Sequence, residues 1–437
     1  MTRATVAITA VLFLALLSEA GAGVDYLPDR NLLWVTDYPA DFPCTPKLLA
    51  RIDDAFGWDK VTYDDATQTC TVACNLWIGR NDGSQTWFQV GSAQRPTETL
   101  VVRGNVRVHS TWLIDENTGT SHSTRNLVNR LTLGVRENPA IQSRLLIDND
   151  GRLGHALMVG GPSGYGAKNG GGEICVYHGM IAPFGNVPIG ASKGRTKSMV
   201  MGGQRRVELV NAAVRDVMGE AFGRHLSEGH FEGVRFERCG KALHGTYQKV
   251  VRGCTFRDCG VAIDGSTRFD LVLHNCVFTG NRRNWQLPYK HMVLIDCVVD
   301  DWDKGAYSAE RATFAVSKRH VIVRVQDADG RPVKGAMVRT APSTVPAAPT
   351  HDLNHAVTGA DGCTPGRGKP GALLLSQLLI RPGEEKGAPH RQTTYSYMVE
   401  ARSRSRGGRI DRLAPQTSWE LITITLAESV QSEEEGR

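Results

Sequence analysis

Past residue 22 the chain has no apolar run as long as the roughly 20 residues a bilayer-spanning helix needs, so membrane insertion is not expected. No nucleic-acid recognition motif occurs, and nucleic acid is not expected as a partner. Cys70-x3-Cys74 has no matching Cys/His pair close by, so half a zinc site stands alone and no metal is assigned. The glycine-rich stretch GGPSGYGAKNGGG lacks the Gly-Lys-Ser/Thr ending of a phosphate-binding loop and reads as a plain flexible loop. No asp-rich cluster of a calcium site is present, and no cofactor is named by any motif. Aromatic residues make up only 7% of the chain beside 47 glycines, a balance that suits strands and turns better than packed helices.

What is present begins with an export signal. Arg3, an apolar stretch from Ala4 to Leu17 and small residues ending in Ala20-Gly21-Ala22 have the layout of a cleaved secretory peptide over 1–22. The mature protein is therefore expected to be secreted, periplasmic or on the cell surface. The net charge of +6 is mild and favours an acidic polymer over a basic one.

Five windows recur between Leu209 and Tyr307: NAAVRDV, GVRFERC, GCTFRDC, NCVFTGN and DCVVDDW. Ala212, Val234, Cys254, Cys276 and Cys297 share one position, at steps of 22, 20, 22 and 21. Two residues on stand Val214, Phe236, Phe256, Phe278 and Val299; three before stand Leu209, Phe231, Val251, Leu273 and Leu294. Apolar residues at fixed places with a period near 21 mean a short unit stacked on copies of itself. Asn211, Gly233, Gly253, Asn275 and Asp296 precede the shared position, where a left-handed corner suits Gly, Asn and Asp.

With these corners, the windows HNCVFTGN and RGCTFRDCGVAID resemble coils of the right-handed parallel β-helix, the pectate-lyase-like superfamily. That resemblance implies an all-β stack over 76–310, with a sugar polymer lying along one strand face. Before it, 23–75 reads as a cap region in which Thr45-Pro46, KLLARIDDAF and Gly57 form one short capping helix. After it, HVIVRVQDADGRPVKGAMVRT and VTGADGCTP resemble the carboxypeptidase-regulatory-like or transthyretin-like β-sandwich. The matching residues are Val325, Asp327, Gly330, Pro332, Val333, Gly335 and Ala336, then Thr358, Asp361 and Gly362. This places a C-terminal β-sandwich domain at 319–428, with a Pro/Ala-rich insertion, APSTVPAAPTHDLNH, and a tail at 429–437 that reads as disordered.

The cysteines divide by place. Cys254, Cys276 and Cys297, with Cys239 and Cys259, fall in inward columns and are expected as packed thiols, although the strand spacing leaves room for a bridge such as Cys239–Cys259. Cys44, Cys70 and Cys74 lie outside the repeats, and a disulfide from Cys44 to one of the other two is expected.

A third strand of each coil runs through KALH, VAID, RNWQ and KGAY, with Leu243, Ile263, Trp285 and Ala306 inward. One step later Phe222, His244, Asp264, Gln286 and Tyr307 should form an exposed outward ladder. On it, His244 and Asp264 would be neighbours about 4.8 Å apart along the backbone. Glu220 and Asp264 would lie two coils, about 9–10 Å, apart, a separation compatible with an inverting hydrolase. For a lyase, His244 would be the base and Lys241 or Arg283 the stabilising cation. His244, Asp264 and Glu220 are thus the candidate catalytic residues, and Lys241, Arg283, Gln286 and Tyr307 the candidate binding residues. The expected partner is an acidic polysaccharide; the other reading is a surface or adhesive scaffold without catalysis. His351-Asp352-x-x-His355 has metal-ligand spacing but sits in a loop, RSRSRGGR at 402–409 reads as a solvated hairpin, and Trp58, Trp77, Trp87 and Trp112 read as core.

Overall fold

The computed structural model describes residues 23–79, 85–109, 112–114, 121–123, 129–149, 155–159, 172–190, 206–222, 229–244, 248–265, 271–288, 291–308, 311, 313–342, 354–367, 369–383 and 390–428. Residues 1–22, expected as an export signal, most of the glycine-rich stretch, His351, Asp352 and residues 429–437 lie outside them. The protein is all-β with long parallel sheets. It divides into two compact units, one made of residues up to Thr267 with Val277–Gln286 and Val299–Gly305, the other of the remainder.

In the first unit the expected helix forms over Pro46–Phe56. Thr45 caps it by accepting a hydrogen bond on Oγ1 from the Leu48 amide at 3.2 Å, and Pro46 starts it with a preset φ. Gly57 ends it at φ 67°, a conformation open to glycine without cost. Leu48, Leu49 and Ile52 face inward.

Apart from three antiparallel pairs of consecutive strands, Gly23–Leu27 with Leu32–Thr36, Val61–Asp64 with Thr69–Val72 and Trp112–Ile114 with Ser121–Ser123, the rest of this unit is built from strands that pair in parallel with strands one repeat away. One parallel sheet runs Trp87–Val90, Arg130–Leu133, Glu173–Tyr177, Arg206–Val210, Gly229–Glu232 and Gln248–Arg252. A second passes from Thr69–Val72 through Thr99–Val102, Arg144–Asp148, Met180–Phe184, Ala213–Arg215, Arg235–Glu237 and Thr255–Arg257 to Val277–Thr279. A third, short sheet holds Glu220–Phe222, Lys241–His244, Val261–Asp264 and the start of Arg283–Leu287. Strict register stacks like on like: Leu209 faces Phe231 and Val251, and Val214 faces Phe236, Phe256 and Phe278. The rings of Phe236, Phe256 and Phe278 follow one another at centroid distances of 5.3 and 5.0 Å, nearly parallel. Such offset stacks add to the area each ring removes from water.

The corners behave as their residue types require. Asn211, Gly233, Gly253, Asn275 and Asp296 have φ between 50° and 63°. A second corner, five residues on, is left-handed as well: Asp216, Arg238, Asp258 and Gly280 have φ of 55°, 50°, 55° and 64°. The Arg238 guanidinium grips Asp216 with both Nε and Nη2, at 2.5 and 2.8 Å.

The second unit is organised by one 12-residue strand, Ala315–Gln326. It runs parallel to Met292–Ile295, antiparallel to Leu373–Arg381 and parallel to Glu420–Thr425. A further sheet joins His355–Val357, Met337–Pro342, Tyr397–Ser403, Arg406–Leu413 and Ala427–Glu428. Val321, Val323, Val338, Leu375, Tyr397 and Val399 from the two sheets share one core. The motif residues meet there: Ala336 N donates to Thr358 Oγ1 at 2.9 Å, and Thr358 Oγ1 donates to the Val333 carbonyl at 2.6 Å. Gly362, at φ 73°, lies so close to the Val325 carbonyl that a Cβ would meet it at 2.6 Å. The RSRSRGGR segment is the hairpin between Tyr397–Ser403 and Arg406–Leu413, with its arginines exposed.

Three expectations are corrected. All ten cysteines are free thiols, Cys44 included. Cys44 and Cys70 fill the interior, with their S–H groups directed at the carbonyls of Thr45 and Pro46. Burial pushes the Cys70 thiol well up and that of Cys74 up to about 11, so neither is disposed to react as thiolate. Phe222 does not stand in the outward ladder; it faces Leu243 and is fully buried. Trp58, Trp77 and Trp87 are half-buried rather than core; at Trp77 and Trp87 this is because in NLWI and WFQV the leucine, isoleucine, phenylalanine and valine take the inward positions, and the Trp112 side chain lies outside the described residues.

Candidate functional site

Of the seven predicted site residues, four converge. Glu220 pairs in register with Lys241, and His244 with Asp264, so three successive strands of the short sheet carry the group. The strands place the backbones, and the side chains lean toward the middle strand. Lys241 Nζ lies 2.8 Å from Asp264 Oδ2 and 3.5 Å from Glu220 Oε1. The His244 imidazole contacts the same Glu220 oxygen through Nδ1 and lies 3.6 Å from Asp264 Oδ2 through Nε2. Two carboxylates, one ammonium and one imidazole thus form a closed ring of contacts.

The ladder was expected to be open to solvent. Instead His244 and Asp264 are each 3% exposed and Glu220 8%. The two carboxylates also do not keep a two-coil separation, because both reach one ammonium on the strand between them. Charges removed from water must be paired, and here each is. Burial pulls the Lys241 ammonium toward its neutral form, but the hydrogen bond and charge of Asp264, with Glu220 behind them, more than reverse this and leave its pKa raised.

Arg283 and Gln286 lie one strand further on. Arg283 is exposed and shares a register column with Val261 and Lys241; Gln286 is half-buried beside Asp264. Tyr307 belongs to the second unit, where its ring meets that of His390 edge-on at 4.8 Å. Ala306, expected inward, is half-buried.

A second polar ladder, on the long sheet, had not been singled out. Arg130 Nε donates to Glu173 Oε2 at 2.8 Å, while its guanidinium lies 4.0 Å from the centroid of the Trp87 ring. On the next strand Glu208, 1% exposed, receives Arg206 and Arg136 at 2.6 Å each and Tyr177 Oη at 2.9 Å. Burial first, then the neighbouring Cys175 and Glu208, push the Tyr177 phenol up and keep it a donor. The signal was available as period-two alternation: Glu173, Cys175 and Tyr177 alternate with Ile174 and Val176, and Glu208 sits between Val207 and Leu209.

A third group lies on the sheet of Leu32–Thr36, Asn75–Ile78 and Val106–Val108. The His109 ring meets Trp77 at 5.0 Å and Trp34 at 6.3 Å, with Arg107 5.4 Å from the Trp77 ring centroid. His109 is 5% exposed, and neither ring nitrogen has a hydrogen-bond partner. Burial, and then the charge of Arg107, lower its pKa to about 4.

Among the described residues no helix is long and apolar enough to cross a membrane, and no group of three or more His, Cys, Asp or Glu side chains is placed to hold a metal ion. His355 is exposed beside Asn354. Comparison of the chain with family models, with curated proteins and with solved structures finds no match.

Proposed function

We propose that the chain is an exported right-handed parallel β-helix of the pectate-lyase-like kind followed by a β-sandwich, and that it binds an acidic polysaccharide. The polymer would lie across the strands that carry Lys241, Arg283 and Gln286. One observation carries this reading. Lys241, Val261 and Arg283 occupy one column on successive parallel strands, with Arg283 exposed, so cations recur along the stacking direction at about 10 Å, two strand spacings. A polyanion laid along that direction meets them in turn, which a globular anion would not.

Binding is the primary activity in this proposal, and lyase-type or hydrolytic cleavage is secondary. A general base must face the proton it takes. Both His244 nitrogens face carboxylates, so His244 acts on a substrate only if one of those contacts opens. The closed ring of contacts, in which Glu220, His244 and Asp264 are buried and Lys241 is half-buried, specifically favours a second reading, in which the group is structural and the protein is a rigid surface or adhesive scaffold.

The test is retention of the mature protein in gels containing polyuronates or glycosaminoglycans. Unsaturated product, followed by ultraviolet absorbance, and reducing ends are measured in parallel. Retention that is weakened several-fold in Arg283→Gln supports the binding reading. Absence of retention on every polyanion leaves the scaffold. Cleavage abolished in His244→Ala and Asp264→Ala would add the catalytic role.

A further inference from the structure

A cleft of about 340 Å³ opens beside the start of the Pro46–Phe56 helix, lined by Phe42, Pro43, Leu48, Lys47, Arg51 and Arg95, with Thr45 at its edge. Three of these are cations. Two are held in place from outside the cleft. The Arg95 backbone closes a turn with Ser92, and its Nε pairs with the buried Glu98 at 3.0 Å. Glu98 is in turn fixed by Tyr63 Oη at 3.0 Å and the Gly91 amide at 2.7 Å. Lys47 lies 5.4 Å from the Tyr63 ring centroid and pairs with Asp65, whose side chain is 73% exposed. An ion pair that open to water contributes little and is readily exchanged for another anion. Arg51 is exposed, and among the described residues its side chain has neither a hydrogen bond nor an ion pair. The first turn of the helix contributes no acid that would compete. The cleft therefore carries an unneutralised positive charge.

Its other wall is apolar. Phe42 is 51% exposed although its neighbours Cys44, Leu48 and Leu49 are buried. An aromatic ring left in water next to Pro43 and three cations suits a ligand with one flat apolar face and one anionic group. A sugar ring bearing a carboxylate has both features. The volume suits a single ring, at the small end of ligand pockets.

We propose that this cleft binds one uronate unit, with its carboxylate between Arg51, Arg95 and Lys47 and its C–H face on Phe42. An arginine pairs with a carboxylate through two parallel N–H donors, which supplies orientation as well as affinity. The choice of a uronate rests on the acidic-polysaccharide reading above, but the site is separate from the Lys241/Arg283 column.

Calorimetric titration of the full chain with galacturonate, galactose and inorganic phosphate tests it. Galacturonate is expected to bind, with galactose weaker by about tenfold or more, as expected for loss of a charged hydrogen-bonding group. Arg51→Gln should weaken galacturonate by about tenfold, while Phe42→Ala should weaken galacturonate several-fold and leave phosphate unchanged. Both side chains are exposed, and an unchanged melting temperature would verify that the variants fold. No galacturonate binding, or binding indifferent to Arg51→Gln, overturns the proposal. Phosphate that matches galacturonate in affinity and displaces it overturns the sugar assignment. The two readings separate in the variants. Gel retention lost in Arg283→Gln while Arg51→Gln leaves galacturonate binding intact rejects the cleft and keeps the polymer face. Galacturonate binding sensitive to Arg51 without any polymer retention rejects the face and keeps the cleft.

Discussion

Two buried histidines of the first unit are treated in opposite ways. His244 is set among charges, with Glu220 at one nitrogen, Asp264 at the other and Lys241 bridging both acids. His109 is set among rings, with Trp34 tilted against it, Trp77 edge-on and no hydrogen-bond partner for either nitrogen. Both are nearly excluded from water. The difference lies in what surrounds each ring. At His244 a carboxylate lies against each nitrogen. A shell of indoles beside Arg107 accepts only the neutral ring, which costs least to desolvate. The first site resists loss of a partner badly and the second resists acid badly.

The largest expected effect comes from breaking the charged ring on one side. Asp264→Ala leaves Lys241 half-compensated and His244 short of a neighbour, and it should destabilise the protein by about 3–5 kcal/mol in urea titration. The paired replacement Lys241→Met with Asp264→Leu removes a cation and an anion together and should cost far less, within about 1–2 kcal/mol of the native chain. If Asp264→Ala were instead almost neutral, the ring would be a loose surface group and the contrast with His109 would collapse.

Acid gives the next effect. The His109 pKa is about 4 in the folded chain and near the ordinary 6.5 when unfolded. Between those values the unfolded chain binds a proton that the folded chain refuses, so stability falls as pH falls through that window and is complete above it. From pH 7.5 to pH 5 the loss attributable to His109 should be about 2 kcal/mol. His109→Phe keeps the aromatic packing and should remove that part of the pH dependence in melts at the two pH values. An unchanged slope would show that His109 finds a proton acceptor in acid.

These sites were unequally legible in the sequence. The corners at Asn211, Gly233, Gly253, Asn275 and Asp296 could be read because few residue types accept positive φ, and the columns of Phe236, Phe256 and Phe278 because one ring stacks on the next. His244 and Asp264 were readable as neighbours because their windows are 20 residues apart with no insertion. A spacing of 22 puts Phe222 level with His244, one residue out of its true register with Leu243. The better guide was the small residue at the strand's second position: Ala221, Ala242 and Ala262 are all fully buried. Burial of the charged ring was not legible, since a polar strand face looks the same whether open or covered. The ladder of Glu173 and Glu208 was missed for another reason. Its strands begin at residues 87, 130, 173 and 206, too far apart to show a period near 21. His109 escaped because a neutral histidine among tryptophans has no sequence signature.

The smallest effect isolates burial itself. Arg238 and Asp216 make a two-pronged pair with shorter contacts than Lys241 has, yet the Arg238 side chain is 46% exposed. Asp216 and its neighbours raise the Arg238 pKa, but water screens such a pair and its contribution should stay under about 1 kcal/mol. Arg238 also has φ 50°, which costs a side-chain-bearing residue roughly 1 kcal/mol and glycine almost nothing. Arg238→Ala loses the pair and keeps the strain, so it should fall slightly below the native chain in stability. Arg238→Gly loses the pair and relieves the strain, so it should equal or exceed Arg238→Ala by up to about 1 kcal/mol. Gly280 already occupies this corner two repeats on, which shows that the turn closes without a side chain. An Arg238→Ala variant that loses as much as Asp264→Ala would mean that geometry, not exclusion from water, sets the worth of these pairs, and the contrast between the two histidines would need another cause.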